Sequence, residues 1–241
     1  MNLIIDVGNT RIKLAIFKNG ALEHMVRSSK EEVVEALETL LKEYPQLNRA
    51  IVSSVGTFPE AAMQLLASRL KVIELTSETR VPFVNDYGTP KTLGVDRIAL
   101  VSAAAVQFPK KNVLVIDAGS CITYDFLTHE NHYIGGAISP GVAMRYKALH
   151  TFTANLPLLK PTLPIQTIGN STETSMQSGV LFGVVQEIHG YLAFYREKYP
   201  ELTIILTGGD AHLLRDSLKN SIFANPNFLL EGLLHILQHN T

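Results

Sequence analysis

The apolar residues of this chain come in short runs broken by turn formers, and the runs start twice. Residues 3–5 and 12–17 are rich in Leu, Ile, Ala and Phe and bracket Gly8, Asn9 and Thr10, which predicts a β-hairpin, with Asn19-Gly20 as the next turn. Val33, Val34, Leu37, Leu40 and Leu41 then recur at helical spacing, predicting a helix capped by Ser29 and closed before Pro45. A strand over 50–55, a helix over 58–70 and a short strand over 72–75 follow, and 76–92, with Pro82, Gly88 and Pro90, reads as an irregular connection. The alanine-rich segment 96–108 predicts a helix, closed by Pro109, Lys110 and Lys111.

At Val113-Leu114-Val115-Ile116-Asp117 the pattern restarts. Gly119-Ser120 and an apolar run over 122–127 repeat the opening hairpin, so the chain divides into lobes 1–110 and 111–241. The second half predicts a strand over 133–138, a helix from about residue 142, a loop with Pro157, Pro161 and Pro164, and one long helix over 172–199. A buried-type strand over 203–206, the turn Thr207-Gly208-Gly209-Asp210 and two short helices complete the reading.

Composition narrows the partners. With 21 basic and 22 acidic side chains, a net charge of -1 gives no global field for nucleic acid or an anionic membrane surface, so any phosphate is held locally. No apolar run reaches the roughly 20 residues that cross a bilayer. The single cysteine, Cys121, excludes an internal disulfide and is expected to be a buried structural thiol. It agrees, with the immediate start into an apolar strand, with a cytoplasmic location.

The candidate chemistry lies at the two hairpins. Asp6 and Asp117, 111 positions apart, each end an apolar strand and precede a glycine by two residues. One Asp-x-Gly is commonly an ordinary turn. Two at half-chain spacing point to a pair of phosphate-binding turns, in which Gly8 and Gly119 aim amides at phosphate oxygens while the carboxylates hold a bridging cation. The turn at Gly208-Gly209, between a strand and a helix, offers bare backbone to an adenosine. There is no G-x-x-x-x-G-K-[ST] motif. His129-Glu130-Asn131-His132 reads as a solvated turn, and His235 with His239 as a surface face of a helix, not a zinc site.

Taken in order, Asp6-Val7-Gly8-Asn9-Thr10-Arg11-Ile12-Lys13, Gly94-Val95-Asp96-Arg97, Asp117-Ala118-Gly119-Ser120, Gly135-Gly136-Ala137-Ile138-Ser139-Pro140-Gly141, Met176-Gln177-Ser178-Gly179 and Thr207-Gly208-Gly209-Asp210-Ala211 resemble the type III pantothenate kinases. These belong to the acetate kinase, sugar kinase, Hsp70 and actin superfamily. The resemblance implies an α/β fold of two similar ribonuclease H-like lobes, a duplicated actin-like ATPase with mixed sheets flanked by helices. It implies transfer of the γ-phosphoryl group of ATP to pantothenate, the first step of coenzyme A synthesis. By position, Asp6, Val7, Gly8, Asn9, Thr10, Arg11, Ile12, Lys13 and Ser120 would bind ATP, with Asp6 near a magnesium ion reached through water. Asp96 would be the catalytic base. Tyr87, Gly94, Val95, Asp96, Arg97 and Thr172 would contact pantothenate. Asp117 would ligate a monovalent cation, potassium or ammonium, and the protein would be a homodimer through the helices that start at Val142 and Thr172.

Two positions depart from the family pattern. Ser120 stands where threonine is usual and keeps the hydroxyl. Ser171 stands where asparagine is usual, which removes an amide from the Thr172 contact. Two other functions fit the same hairpins: a kinase for another small hydroxyl substrate such as a sugar, and a nucleotide-gated regulatory clamp. The absence of a basic stripe argues against direct binding of nucleic acid.

Overall fold

The structure, a computed structural model, describes residues 1–8, 11–165, 167–218 and 222–241. Along the chain run β1 (Asn2–Val7), β2 (Ile12–Lys18), β3 (Ala21–Ser28), α1 (Val33–Glu43), β4 (Arg49–Ser54), α2 (Glu60–Arg69), β5 (Lys71–Glu74), β6 (Val84–Asn85) and α3 (Val95–Gln107). There follow β7 (Asn112–Ala118), β8 (Cys121–Leu127), β9 (His132–Pro140), α4 (Val142–Thr151), α5 (Thr172–Gln177), α6 (Gly183–Lys198), β10 (Leu202–Thr207), α7 (Ala211–Leu214), β11 (Phe223–Ala224) and α8 (Phe228–His239). Among the described residues no helix is long and apolar enough to cross a membrane.

Two compact units result, Met1–Pro109 with Asn227–Thr241, and Lys110–Pro226. In the first, the sheet order is β3-β2-β1-β4-β5, with β1 antiparallel to β2 and parallel to β4. In the second, the strands run β9-β8-β7-β10-β11, with β7 antiparallel to β8 and parallel to β10. Strand for strand this is one topology used twice, which is the duplicated ribonuclease H-like fold with mixed sheets flanked by helices.

Strand alternation sends successive residues to opposite faces. Leu3, Ile5 and Val7 of β1 and Ala50 and Val52 of β4 pack under Val33, Leu37 and Leu40 of α1 and Ala62 and Leu66 of α2. Burying each of the larger side chains stabilises the unit by about 1.5–3 kcal/mol, and truncating Leu37 to alanine would cost about 2–5 kcal/mol. The other face of β1 and β4 meets α3 and α8. In the second unit Leu114, Ile116, Tyr124 and Phe126 pack against Val184, Ile188 and Leu192 of α6.

Several details differ from the sequence reading. The edge strand β3 was not expected. Ser29 caps a turn ahead of α1: its hydroxyl accepts from the Glu32 N–H at 3.3 Å and donates to the Glu32 carboxylate at 3.1 Å, and the helix starts at Val33. The long helix over 172–199 is interrupted by a π-helical turn at Ser178–Phe182. The last helix, assigned from sequence to the second lobe, packs on α3 and lies in the first unit. Gly232 makes that approach possible, because a Cβ there would strike the Ala99 carbonyl. His235, expected on a solvated face, turns inward with its Nε2 buried and no hydrogen-bond partner among the described residues. Burial holds its pKa below the ordinary value. Cys121 is half-buried, not enclosed, because it opens β8 beside the Gly119 turn.

Candidate active site

The first hairpin places Asp6 near the end of β1, directly across from Lys13 on β2. Lys13 Nζ donates to Asp6 Oδ2 at 3.1 Å, an arrangement that orients the carboxylate and puts a cation beside any phosphate it helps to hold. The Gly8 N–H donates to the Arg11 carbonyl at 3.1 Å and closes the turn. Val7 and Ile12 flank it with buried side chains, so only their backbones can face a ligand, whereas Arg11 is exposed. Asn9 and Thr10 lie outside the described residues.

The middle strand has a neighbour on its other side too. Ser53 of β4 stands in register with Asp6, so one row across the sheet reads Lys13, Asp6, Ser53. Sequence reasoning passed over Ser53. The signal available was the strand's alternation, which carries a serine to the position where an apolar residue would continue the Ile51 face.

Asp96 sits in the first turn of α3, within the same unit. Its Oδ1 accepts from the Arg97 N–H at 2.8 Å, and the carboxylate folds back over Gly94, where any Cβ would collide with it. Burial pushes the Asp96 carboxyl above the usual carboxylate range. The Asp6 charge adds to that push, and the Arg97 amide and guanidinium oppose it. Arg97 is itself buried, with its guanidinium carbon 5.4 Å from the centre of the Tyr87 ring, a cation–π contact. The Tyr87 N–H is held by the Asn85 side chain at 3.1 Å. The first unit therefore gathers Asp6, Lys13, Tyr87, Gly94, Val95, Asp96 and Arg97.

The second hairpin repeats the geometry with different side chains. Asp117 is in register with Thr123 on β8 and Thr207 on β10. The turn after Thr207 runs against it: Gly208, at φ +96°, leaves no space for a Cβ beside the Asp117 carboxylate, and the Asp210 N–H donates to the Ala118 carbonyl at 2.8 Å. Gly141 is equally required, since a Cβ would meet the carbonyls of Gly119 and Ser120. Asp117, Ser120 and the glycine turn are thus assembled in one place. Thr172 is on a separate element, the first residue of α5. Ser171 caps that helix, accepting from the Thr174 N–H at 3.2 Å while Thr174 Oγ1 accepts from the Ser171 N–H at 2.9 Å. The serine that departs from the family pattern is therefore a working helix cap.

Among the described residues no group of three or more His, Cys, Asp or Glu could cage a metal. A carboxylate beside a hydroxyl suits a hard cation that keeps much of its water and is held partly by phosphate oxygens. A 640 Å³ cavity lined by Lys110, Lys111, Asn112, His129 and Thr203 opens at the starts of β7 and β10, the strand ends opposite Asp117 and Thr207, and takes no part in this arrangement.

Residues 2–193 match the profile of the type III pantothenate kinase family. A type III pantothenate kinase from Christiangramia forsetii is 50% identical over 240 residues, covering 100% of this chain and 99% of that protein. Among solved structures, a protein described as a Baf family transcriptional activator from Campylobacter jejuni superposes with a TM-score of 0.67 at 20% identity, over 99% of this chain and 98% of that one. A glucokinase from an Antarctic psychrotroph does so at 0.52 and 13% identity, over 99% and 98%. At such identities these two establish the shared fold alone, and it is the match along the sequence, spanning both hairpins and the Asp96 helix start, that makes this chain a member of the type III pantothenate kinase family.

Proposed function

We propose that the protein phosphorylates pantothenate with ATP to give 4'-phosphopantothenate, with Asp96 as the base. The observation that carries this reading is the Asp96 carboxylate itself: half-buried, raised above the ordinary carboxylate range, and neighboured by Asp6 in the same unit. A carboxylate so placed is a stronger base than one in water, and one poised closer to neutrality accepts a hydroxyl proton more effectively.

The acceptor oxygen forms a bond to the γ-phosphorus, the bond from that phosphorus to the β,γ-bridging oxygen breaks, and ADP leaves with the electron pair. The hydroxyl proton passes to an Asp96 oxygen. Because the transition state is loose, the enzyme's main tasks are alignment and neutralisation of charge. Lys13 bears on the phosphates, with Asn9 and Thr10 in the same segment, and Ser120 contacts ATP; the Gly8 amide, expected at a phosphate oxygen, is instead spent on the Arg11 carbonyl. Tyr87, Gly94, Val95, Arg97 and Thr172 hold pantothenate, Arg97 by pairing with its carboxylate. A magnesium ion at Asp6, through water, and a potassium or ammonium ion at Asp117 would offset triphosphate charge when bound. The working form is a homodimer.

The test is ADP release by the purified protein with ATP, magnesium and potassium, measured with pantothenate, with sugars and without acceptor. Release that requires pantothenate is expected. Release driven by sugar and not by pantothenate would reassign the acceptor, and absence of acceptor-dependent release under every cation condition would replace the kinase with a nucleotide clamp.

A further inference from the structure

Ser53 is almost wholly buried, at 1% exposure, yet its hydroxyl has no hydrogen-bond partner among the described residues. A buried hydroxyl left unpaired is costly, and proteins rarely keep one unless something absent from the polypeptide satisfies it. Its location says what that could be. Paired strands lie about 4.8 Å apart, and residues in register point to the same face. Ser53 therefore flanks Asp6 on the side opposite Lys13. The hydroxyl forms no bond to the Asp6 carboxylate, so it remains available to a third party held by both.

The duplication supplies an independent argument. β4 stands to β1 as β10 stands to β7, and the residue in register with Asp117 on β10 is Thr207, again buried and again a hydroxyl. The intervening fold sets no requirement for a hydroxyl there: strand interiors accept Val or Ala at such positions. Both carboxylates are nevertheless given one.

We infer that Ser53 is a positioning residue for the divalent cation at Asp6, its hydroxyl accepting a hydrogen bond from a water of the cation's shell. The inference rests on the proposed role of Asp6. It assigns to the first hairpin a second protein contact with the hydrated cation, on a strand that the phosphate-binding segment does not include.

Ser53→Ala and Ser53→Thr separate this from a packing role. The first removes only the hydroxyl, and the second restores it in the form that Thr207 has. Manganese binding in the presence of ATP, read by electron paramagnetic resonance, is the direct measurement, with the magnesium concentration for half-maximal turnover and the Tm beside it. For Ser53→Ala we expect manganese affinity to fall about tenfold, the magnesium requirement to rise in step, and the Tm to hold or increase because an unpaired buried hydroxyl has gone. Ser53→Thr should recover the affinity. Unchanged manganese binding in Ser53→Ala, or a lowered Tm that Ser53→Thr does not repair, would overturn the inference. Asp6→Asn is the reference: if it weakens manganese binding while Ser53→Ala does not, only the assignment to Ser53 falls, whereas if neither does, the reading of Asp6 falls with it.

Discussion

The two hairpins share topology, register and the Asp-x-Gly turn, and differ in what surrounds the aspartate. Asp6 lies between Lys13, which bonds it, and Ser53, with a second carboxylate, Asp96, close enough for their charges to act on each other. Asp117 lies between Thr123 and Thr207, with the Gly208 backbone closed over it. The first environment is charged and suited to phosphate and a strongly hydrated cation. The second offers hydroxyls and carbonyls, which suit a large, weakly charged ion. The two sheets repeat one topology, and a few side chains on neighbouring strands set the two environments apart.

The comparison breaks hardest at Asp96, the proposed base, which belongs to the first unit. Asp96→Asn should lower kcat by about 10²–10⁴ while ATP binding, measured by calorimetry, persists. Turnover equal to wild type would remove Asp96 as the base. Next comes a crossed pair. Asp6→Asn should raise the divalent-cation concentration for half-maximal turnover by about 10–100-fold and leave the response to potassium in place, and Asp117→Asn should raise the potassium requirement and leave that for divalent cation. Titrating each variant with both ions checks this, and identical effects would mean the two hairpins are not specialised.

The pH profile sharpens the same contrast. Since burial and Asp6 both raise the Asp96 carboxyl, the acid limb of kcat/KM should lie above the ordinary carboxylate value of about 3.9. Activity is retained above that limb and lost as the pH falls through it. Asp6→Asn, measured at saturating metal, should shift the limb downward. Gly208→Ala should cost about 1–3 kcal/mol through its positive φ and weaken ATP binding by crowding Asp117, seen as a lower denaturant midpoint. The smallest effect belongs to His235. Its folded pKa is depressed, partly against the pull of Glu231, so the unfolded chain binds the proton more readily. Stability is present above about pH 6.5 and declines below it, and His235→Gln should flatten the fall in Tm between about pH 7 and pH 5.

Much of this was legible in sequence because it is local. A strand ending in Asp-x-Gly identifies itself, and a helix beginning at Gly94-Val95-Asp96-Arg97 brings its carboxylate back to its own first turn without help from distant residues. What resisted reading was pairing. Apolar spacing in 228–239 announces a buried face but does not name α3 as its cover. The π-helical turn at Ser178–Phe182 keeps a helical apolar pattern and differs only in hydrogen bonding. β3 carries charged residues on a half-exposed edge, where alternation is weak. Ser53 becomes conspicuous only when the parallel register sets it beside Asp6.

The assignment of α8 to the first unit has a consequence for biosynthesis. Residues 1–109 emerge from the ribosome early, yet the face of their sheet that carries Asp6 and Ser53 also requires residues 228–239. The unit made first must therefore wait with that face exposed, while the one encoded in the middle can finish before it. Nascent chains halted before residue 228 should accordingly offer chaperones the unit that contains Asp6 and Asp96.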